Sequence, residues 1–259
     1  GCGACTAQCK HENPVAETIY GLRALSVESG VQDARLIQWA QAKPCTDVLN
    51  TLPSEGRVLV VPGHLPKSQV EDWLKVLGLV GVRDMYALPQ FTTAGGRWVQ
   101  SGQQSLFDAH VDALLPAVNQ AEVILCLNPD DYQTLRTAWG PRLETTVRIQ
   151  HALHTLLPMV HRLAPCHDGD LTLLDSCRLS RDPALASATR SILSRLISGR
   201  LIETLMHGTE AGCCGAGAGF STIHPDHGKN VAREAVADTE MADIVAFGEC
   251  VGHLQNAMS

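Results

Sequence analysis

The sequence predicts an α/β fold: two tandem α/β units with mostly parallel sheets, preceded by a short helical segment. Three observations carry this expectation. Short β-branched runs bounded by Gly and Pro, such as 57–62 (RVLVVP), read as buried strands. They alternate with stretches of helical apolar spacing, the pattern of a parallel sheet with crossover helices. The order of elements then restarts, so 57–150 and 165–259 read as two copies of one unit of roughly 100 residues, longer than the short-period solenoid repeats.

The elements follow in order. Residues 1–56 read as helical and polar. Asn13-Pro14 opens a helix, because proline at the first helical position loses no hydrogen bond. Ile19, Leu22, Leu25 and Val27 mark its expected apolar side, and Gly30 stops it. A second helix is expected over 33–42 with Leu36, Ile37 and Trp39 inward, and 51–56 (TLPSEG) is a linker. Beyond the strand at 57–62 come a helix at 68–77 (Val70, Trp73, Leu74, Leu77), a strand at 84–88, a helix at 106–119 and a strand at 121–127. The stretch 147–163 reads as mostly helical and carries His151, His154 and His161. A strand at 170–174 runs into Asp175-Ser176-Cys177, followed by a helix at 182–198. An extended segment at 201–207 leads to Cys213-Cys214-Gly215. A helix at 226–241 and a last strand at 243–247 lead to Cys250. The expected domains are 1–56, 57–150 and 151–259.

Composition excludes several classes. With 45% hydrophobic and 18% charged residues, the 259-residue chain is too apolar to be disordered. A net charge of −7 argues against a general nucleic-acid binder, which needs clustered Lys and Arg. No stretch offers the roughly 18 apolar residues of a membrane span. No basic tail or secretory leader is read, so the expected location is cytoplasmic, with any membrane association made through a partner.

Ten cysteines stand at 2, 5, 9, 45, 126, 166, 177, 213, 214 and 250. In a chain long enough to build its own core, close Cys pairs point to metal ligation or redox chemistry rather than to a disulfide framework. The strongest signal is in the last unit. Cys177 precedes Cys213 by 36 positions, Cys250 follows Cys214 by 36, and His253 lies three beyond Cys250. Each cysteine falls where a strand gives way to a loop, so all are expected at one edge of the sheet, where open α/β sheets place their sites. Thiolates suit iron–sulfur clusters or zinc, and imidazole replaces a thiolate in some sites. Adjacent cysteines diverge, which suits a cluster with several corners better than one small ion. Gly215, Gly217 and Gly219 let the backbone pass close to a bulky group.

At these residues the sequence resembles the CCG-domain iron–sulfur proteins. Cys177, then Cys213-Cys214-Gly215, then Cys250 follow the family pattern Cys … Cys-Cys-Gly … Cys-x-x-Cys. The local contexts LLDSCRLSR and GCCGAGAGFSTIHP are similar as well. The family includes the cysteine-rich component of heterodisulfide reductase, the iron–sulfur component of glycolate oxidase and the lactate-utilisation iron–sulfur proteins. The resemblance implies a 4Fe–4S cluster on Cys177, Cys213, Cys214 and Cys250. His253 stands where the family has its last cysteine and is the candidate substitute ligand. The resemblance also implies tandem domains. In the 57–150 copy the ligand positions read Gly63-His64, a cysteine-free 87–96 and Cys126-Leu127-Asn128-Pro129, so this copy is expected to be structural, without a cofactor.

The N-terminal Cys2, Cys5 and Cys9 resemble the last three cysteines of a bacterial ferredoxin motif, whose first cysteine would fall before residue 1. Trp39 and Cys45 resemble the remnant of a second such motif. Cys2, Cys5, Cys9 and Cys45 together supply four thiolates for a second cluster.

Other motifs read more plainly. His151, His154 and His161 share a helical face but lack a carboxylate partner motif, and are expected to be packed or solvated. GAGAG at 215–219 lacks the features of a nucleotide loop. The functional expectation is an iron–sulfur electron-transfer subunit of an oxidoreductase complex. Its implied partners are flavoprotein or ferredoxin-type redox subunits, and a membrane-anchoring partner. The alternatives are a degenerate scaffold or docking protein with zinc at a Cys/His site, and thiol–disulfide chemistry at Cys213-Cys214, which disulfide geometry disfavours.

Overall fold

The computed structural model describes residues 3–44, 47–237, 239 and 243–259. The chain begins with α1 (Ala4–Ala7), α2 (Val15–Glu28) and α3 (Ala34–Gln41). Next come β1 (Val58–Val61), α4 (Lys67–Leu79), β2 (Met85–Tyr86), α5 (Gly96–Ser101), α6 (Gln104–Val118) and β3 (Val123–Cys126). α7 (Pro129–Thr134), β4 (Arg148–His151) and α8 (Ala152–Leu156) follow. The last part holds β5 (Leu171–Leu173), α9 (Cys177–Ser180), α10 (Pro183–Leu196), β6 (Leu201–Glu203), a 3-10 turn at Gly208–Glu210, α11 (Phe220–Ile223), α12 (Pro225–Ala235), β7 (Asp243–Val245) and α13 (Cys250–Met258).

These elements gather into two units, one from residues 43–96 and 104–162, the other from residues 1–42, 97–103 and 163–259. The first holds a parallel sheet of order β2-β1-β3-β4, and the second a parallel sheet of order β6-β5-β7. In both, the first strand is central, the second lies on one side and the third on the other. The repeated element order of the sequence is therefore a repeated topology, and the fold is α/β as expected. Leu59, Val60 and Val61 are fully buried, as a central parallel strand covered on both faces requires. Val60, Val70, Leu77 and Leu125 share one core in the first unit. Leu171, Leu173, Leu193 and Ile197 share one in the second.

Several local expectations are corrected. Residues 147–163 do not begin as a helix: Arg148–His151 is the edge strand β4, paired in parallel with β3. Val147 and Ile149 alternate with Arg148 and Gln150 at a strand's period, and the open edge of β3 supplies the hydrogen-bond partners. His151, His154 and His161 therefore do not share one helix. On α2, Ile19, Leu22 and Leu25 face outward, with Leu22 61% and Leu25 58% exposed. That helix is held from its other side by Ala16, whose N–H donates to Thr6 Oγ1 at 2.8 Å, and by Arg23, which donates to the Gln100 carbonyl at 2.5 Å. α12 ends at Ala235, short of the expected 241. Cys250 does not close a strand but opens α13, whose buried Cys250, Leu254 and Ala257 recur at helical spacing.

His151 ends β4 and caps α8, its Nδ1 accepting the Leu153 N–H at 3.2 Å. Its Nε2 is buried without a hydrogen-bond partner. Burial, with the nearby His154, pushes its pKa down from 6.5 to about 3. The unfolded chain takes up a proton that folded His151 refuses, so stability is expected to fall as pH drops from 6.5 towards about 3. The slope is about 1.4 kcal/mol per pH unit. Urea midpoints for the native chain and for His151→Asn, which keeps an acceptor for the cap and does not titrate, read this difference. Parallel midpoint curves below pH 6.5 would refute it.

Candidate metal centre

The site is built at the carboxyl ends of β5, β6 and β7. β5 is followed by the buried Leu174, Asp175 and Ser176, and Cys177 is the first residue of α9. Asp175 is held by two partners. Its Oδ2 accepts the Gly208 N–H at 2.6 Å and Arg190 Nη2 at 2.6 Å, while Arg190 also pairs with Glu203 of β6 at 2.7 and 2.8 Å. Arg190 reaches this point because α10 starts squarely: Asp182 accepts the N–H groups of Ala184 and Leu185, and Pro183 occupies the first turn. Burial works against the Arg190 charge, but the hydrogen bonds it donates to Asp175 and Glu203 outweigh it and hold the guanidinium above its usual pKa. This clasp joins the ends of β5 and β6 to the turn that leads towards Cys213. Arg181 adds a second tie, donating to the Ala211 carbonyl at 2.7 Å.

Cys213 and Cys214 occupy the loop beyond β6. Gly215, at φ +86°, takes a conformation that disfavours a side chain and turns its N–H onto Cys213 Sγ at 3.3 Å. Gly219, at φ +70°, lies so close to α3 that a Cβ there would stand 2.5 Å from Leu36 Cδ1.

Cys250 follows β7. Glu249, immediately before it, pairs with Arg97 at Nε (3.0 Å) and Nη2. Arg97 also donates to the Trp39 carbonyl at 3.2 Å and lies over the Trp39 ring at 5.0 Å. One turn along α13, His253 Nε2–H donates to the Gly228 carbonyl at 3.1 Å, which leaves Nδ1 as the ring nitrogen that could take a metal.

The four predicted thiols thus follow the carboxyl ends of three parallel strands, Cys213 and Cys214 in a loop and Cys177 and Cys250 at the first positions of helices. Cys214 and Cys250 are buried, Cys177 and Cys213 half-buried. The Cys214 thiol donates to Cys250 Sγ at 2.9 Å. A cavity of about 370 Å³ opens beside Cys213 and Cys214, lined also by Leu174, Asp175, Met206 and Val231 among others. Among the described residues no three His, Cys, Asp or Glu side chains converge on a point that would hold a single ion. Sequence reasoning misses Asp175, Arg190, Arg181 and Arg97. The signal it offers is Asp175 itself, a charge placed directly after an apolar strand, since a buried charge demands a partner.

Of the N-terminal cysteines, Cys5 is exposed on α1 and Cys9 lies just beyond it, while Cys2 and Cys45 lie outside the described residues. The N–H groups of Asn13 and His11 lower the Cys9 thiol below its usual pKa. α1 packs against the 3-10 turn at Gly208–Glu210, so this segment and the Cys213 loop are neighbours within one unit.

In the other unit, the corresponding strand ends carry different chemistry. Gly63 follows β1, and Asn128 and Asp131 follow β3. Asn128 Nδ2 donates to the Pro62 carbonyl at 3.0 Å and to Asp131 Oδ2 at 2.8 Å. Asp131 Oδ1 accepts the Thr93 hydroxyl at 2.7 Å and the Ala94 N–H at 2.5 Å. Burial raises the Asp131 carboxyl pKa and raises the Cys126 thiol well above its usual value. A buried amide–carboxyl pin thus ties these loops together.

Thiols delivered by loops at one end of a parallel sheet define a soft-ligand site of the metal- or cluster-binding class. Residues 171–255 match the family model of the cysteine-rich CCG domain, and this part of the chain is a CCG domain. No curated protein and no solved structure matches the chain. No described helix is long and apolar enough to cross a membrane.

Proposed function

We propose that the CCG domain holds a 4Fe–4S cluster on Cys177, Cys213, Cys214 and Cys250, and that the chain is an iron–sulfur electron-transfer subunit of an oxidoreductase complex. The observation that supports this reading is the parallel β6-β5-β7 sheet, in which the chain carries one or two of the four cysteines directly beyond the carboxyl end of each strand. The donor set fits the group. A cluster offers each thiolate its own iron, which suits adjacent, divergent cysteines, and a cavity lies beside two of them. The Gly215 N–H on Cys213 Sγ is the kind of hydrogen bond that raises a cluster's potential. The bound cluster would supply one-electron transfer. Asp175, Arg190, Arg181 and the Arg97–Glu249 pair hold the loops that bear the thiols. Cys5 and Cys9, on and just beyond the helix that packs against the turn before the Cys213 loop, belong to the set of N-terminal thiols that suits a second cluster in the same electron path. The partners in this reading are flavoprotein or ferredoxin-type redox subunits in the cytoplasm.

Anaerobic purification with iron, acid-labile sulfide and zinc analysis, and EPR of the dithionite-reduced protein, tests it. About four irons per cluster with matching sulfide are expected, lost on Cys213→Ser. Twice that content would place a cluster on the N-terminal cysteines too. Zinc in place of iron, or no metal from a cluster-competent host, would overturn the reading in favour of a scaffold.

A further inference from the structure

The Cys214 and Cys250 sulfurs are 2.9 Å apart, both buried in one apolar cluster with Leu174, Ala232 and Leu254. A tetrahedral zinc with Zn–S near 2.3 Å holds two thiolates about 3.8 Å apart. A cluster gives each thiolate its own iron. Binding either group would draw the two sulfurs apart, and neither keeps them this close. A disulfide does, and closing the pair to about 2.05 Å needs less than about 1 Å of movement. The two cysteines lie 36 residues apart, so the bond would avoid the strain of a link between adjacent cysteines such as Cys213 and Cys214.

We propose that Cys214 and Cys250 form a reversible disulfide that acts as a redox gate on cluster uptake. The gating consequence rests on the proposed cluster site; the bond itself does not. The oxidant is a peroxide, reaching Cys214 through the cavity that this residue lines. The Cys214 sulfur attacks one peroxide oxygen, the O–O bond breaks, and a sulfenic acid and one water form. The Cys250 sulfur then displaces the hydroxyl as a second water, closing the S–S bond. In sum, two thiols lose two electrons and two protons, and hydrogen peroxide becomes two waters. A dithiol returns the electrons and protons by exchange. While the bond stands, two of the four thiolates are withdrawn from iron.

The test uses the full chain, reduced and stripped of metal by chelation, then treated with hydrogen peroxide, alkylated and digested with trypsin. Trypsin leaves Cys213 and Cys214 on peptide 201–229 and Cys250 on peptide 234–259. The expected product is a cross-link between these two peptides, assigned by fragmentation to Cys214, reversed by dithiothreitol and retained in Cys213→Ser. Cys250→Ser should abolish it, with circular dichroism confirming that the variant is folded. A link confined to Cys213 and Cys214, a link to Cys177, or thiol oxidation without a cross-link would overturn the proposal. Iron and sulfide are then offered to both forms, and the reduced form alone is expected to take them up. A cross-link with no iron uptake by either form keeps the disulfide and rejects both the gate and the cluster site. Uptake without a cross-link keeps the cluster site and rejects the disulfide.

Discussion

Arg190→Met is expected to destabilise the unit that contains the CCG domain by about 3–5 kcal/mol, the cost of leaving a buried charge unpaired. The Asp175 side chain is fully buried, and Arg190 supplies both of its cationic hydrogen bonds. Without the guanidinium, the Gly208 N–H is left to face that carboxylate, and Glu203 loses the Arg190 ion pair as well. Urea unfolding reads the loss directly. The double variant Asp175→Asn with Arg190→Met should recover part of it, because a neutral amide costs less to bury than a carboxylate. A change below about 1 kcal/mol would show that the clasp behaves as an exposed ion pair. The same variant has a functional readout. Asp175 lies two residues before Cys177 and is tied to the turn that precedes Cys213, so metal content should fall along with stability.

Gly63→Ala carries the second large effect, in the other unit. Gly63 has φ +65°, and a Cβ there would lie 1.7 Å from Asn128 Nδ2 and 2.0 Å from Asp131 Oδ2. The substitution is destabilising in two ways. The left-handed backbone costs about 1–2 kcal/mol for a residue with a Cβ. Displacing the pin strands buried polar groups at about 1–3 kcal/mol. Gly81→Ala is the control, because it also has positive φ (+95°) but meets nothing within 4 Å. The gap between the two urea midpoints therefore reports the collision. Equal midpoints would mean that the Asn128–Asp131 pin yields without cost. The expected outcome identifies this pin as what holds together the strand ends that, in the CCG domain, carry thiols.

The legibility of the chain follows the range of the interactions. β1, β3 and β5 are readable because a buried parallel strand must be a short apolar run, whatever packs on it. The repeat is readable because both units place such runs in the same order. β4 is not, since Arg148–His151 is polar enough to suit several structures and becomes a strand through the open edge of β3. The face of α2 escapes the sequence for a related reason. Spacing locates a stripe of Ile19, Leu22 and Leu25, but only the neighbours decide which side of the helix is covered. At the site, the cysteines and the loop glycines are legible, since chemistry and positive φ restrict the residue choice. Arg97 is not. It sits in α5, 152 positions before Glu249, and nothing local links the two.

The sequence by itself determined the α/β class, the order of elements and the set of thiols offered to a metal, because strand burial, helical spacing and soft-ligand chemistry are written in residue types. The tertiary structure alone decided the strand order, the buried clasp around Asp175, the role of His253 as a donor to Gly228, and the 2.9 Å approach of Cys214 to Cys250. These depend on which distant segments meet once each sheet is covered by its helices. A charge, an imidazole or a thiol takes its role from the partner that burial forces upon it.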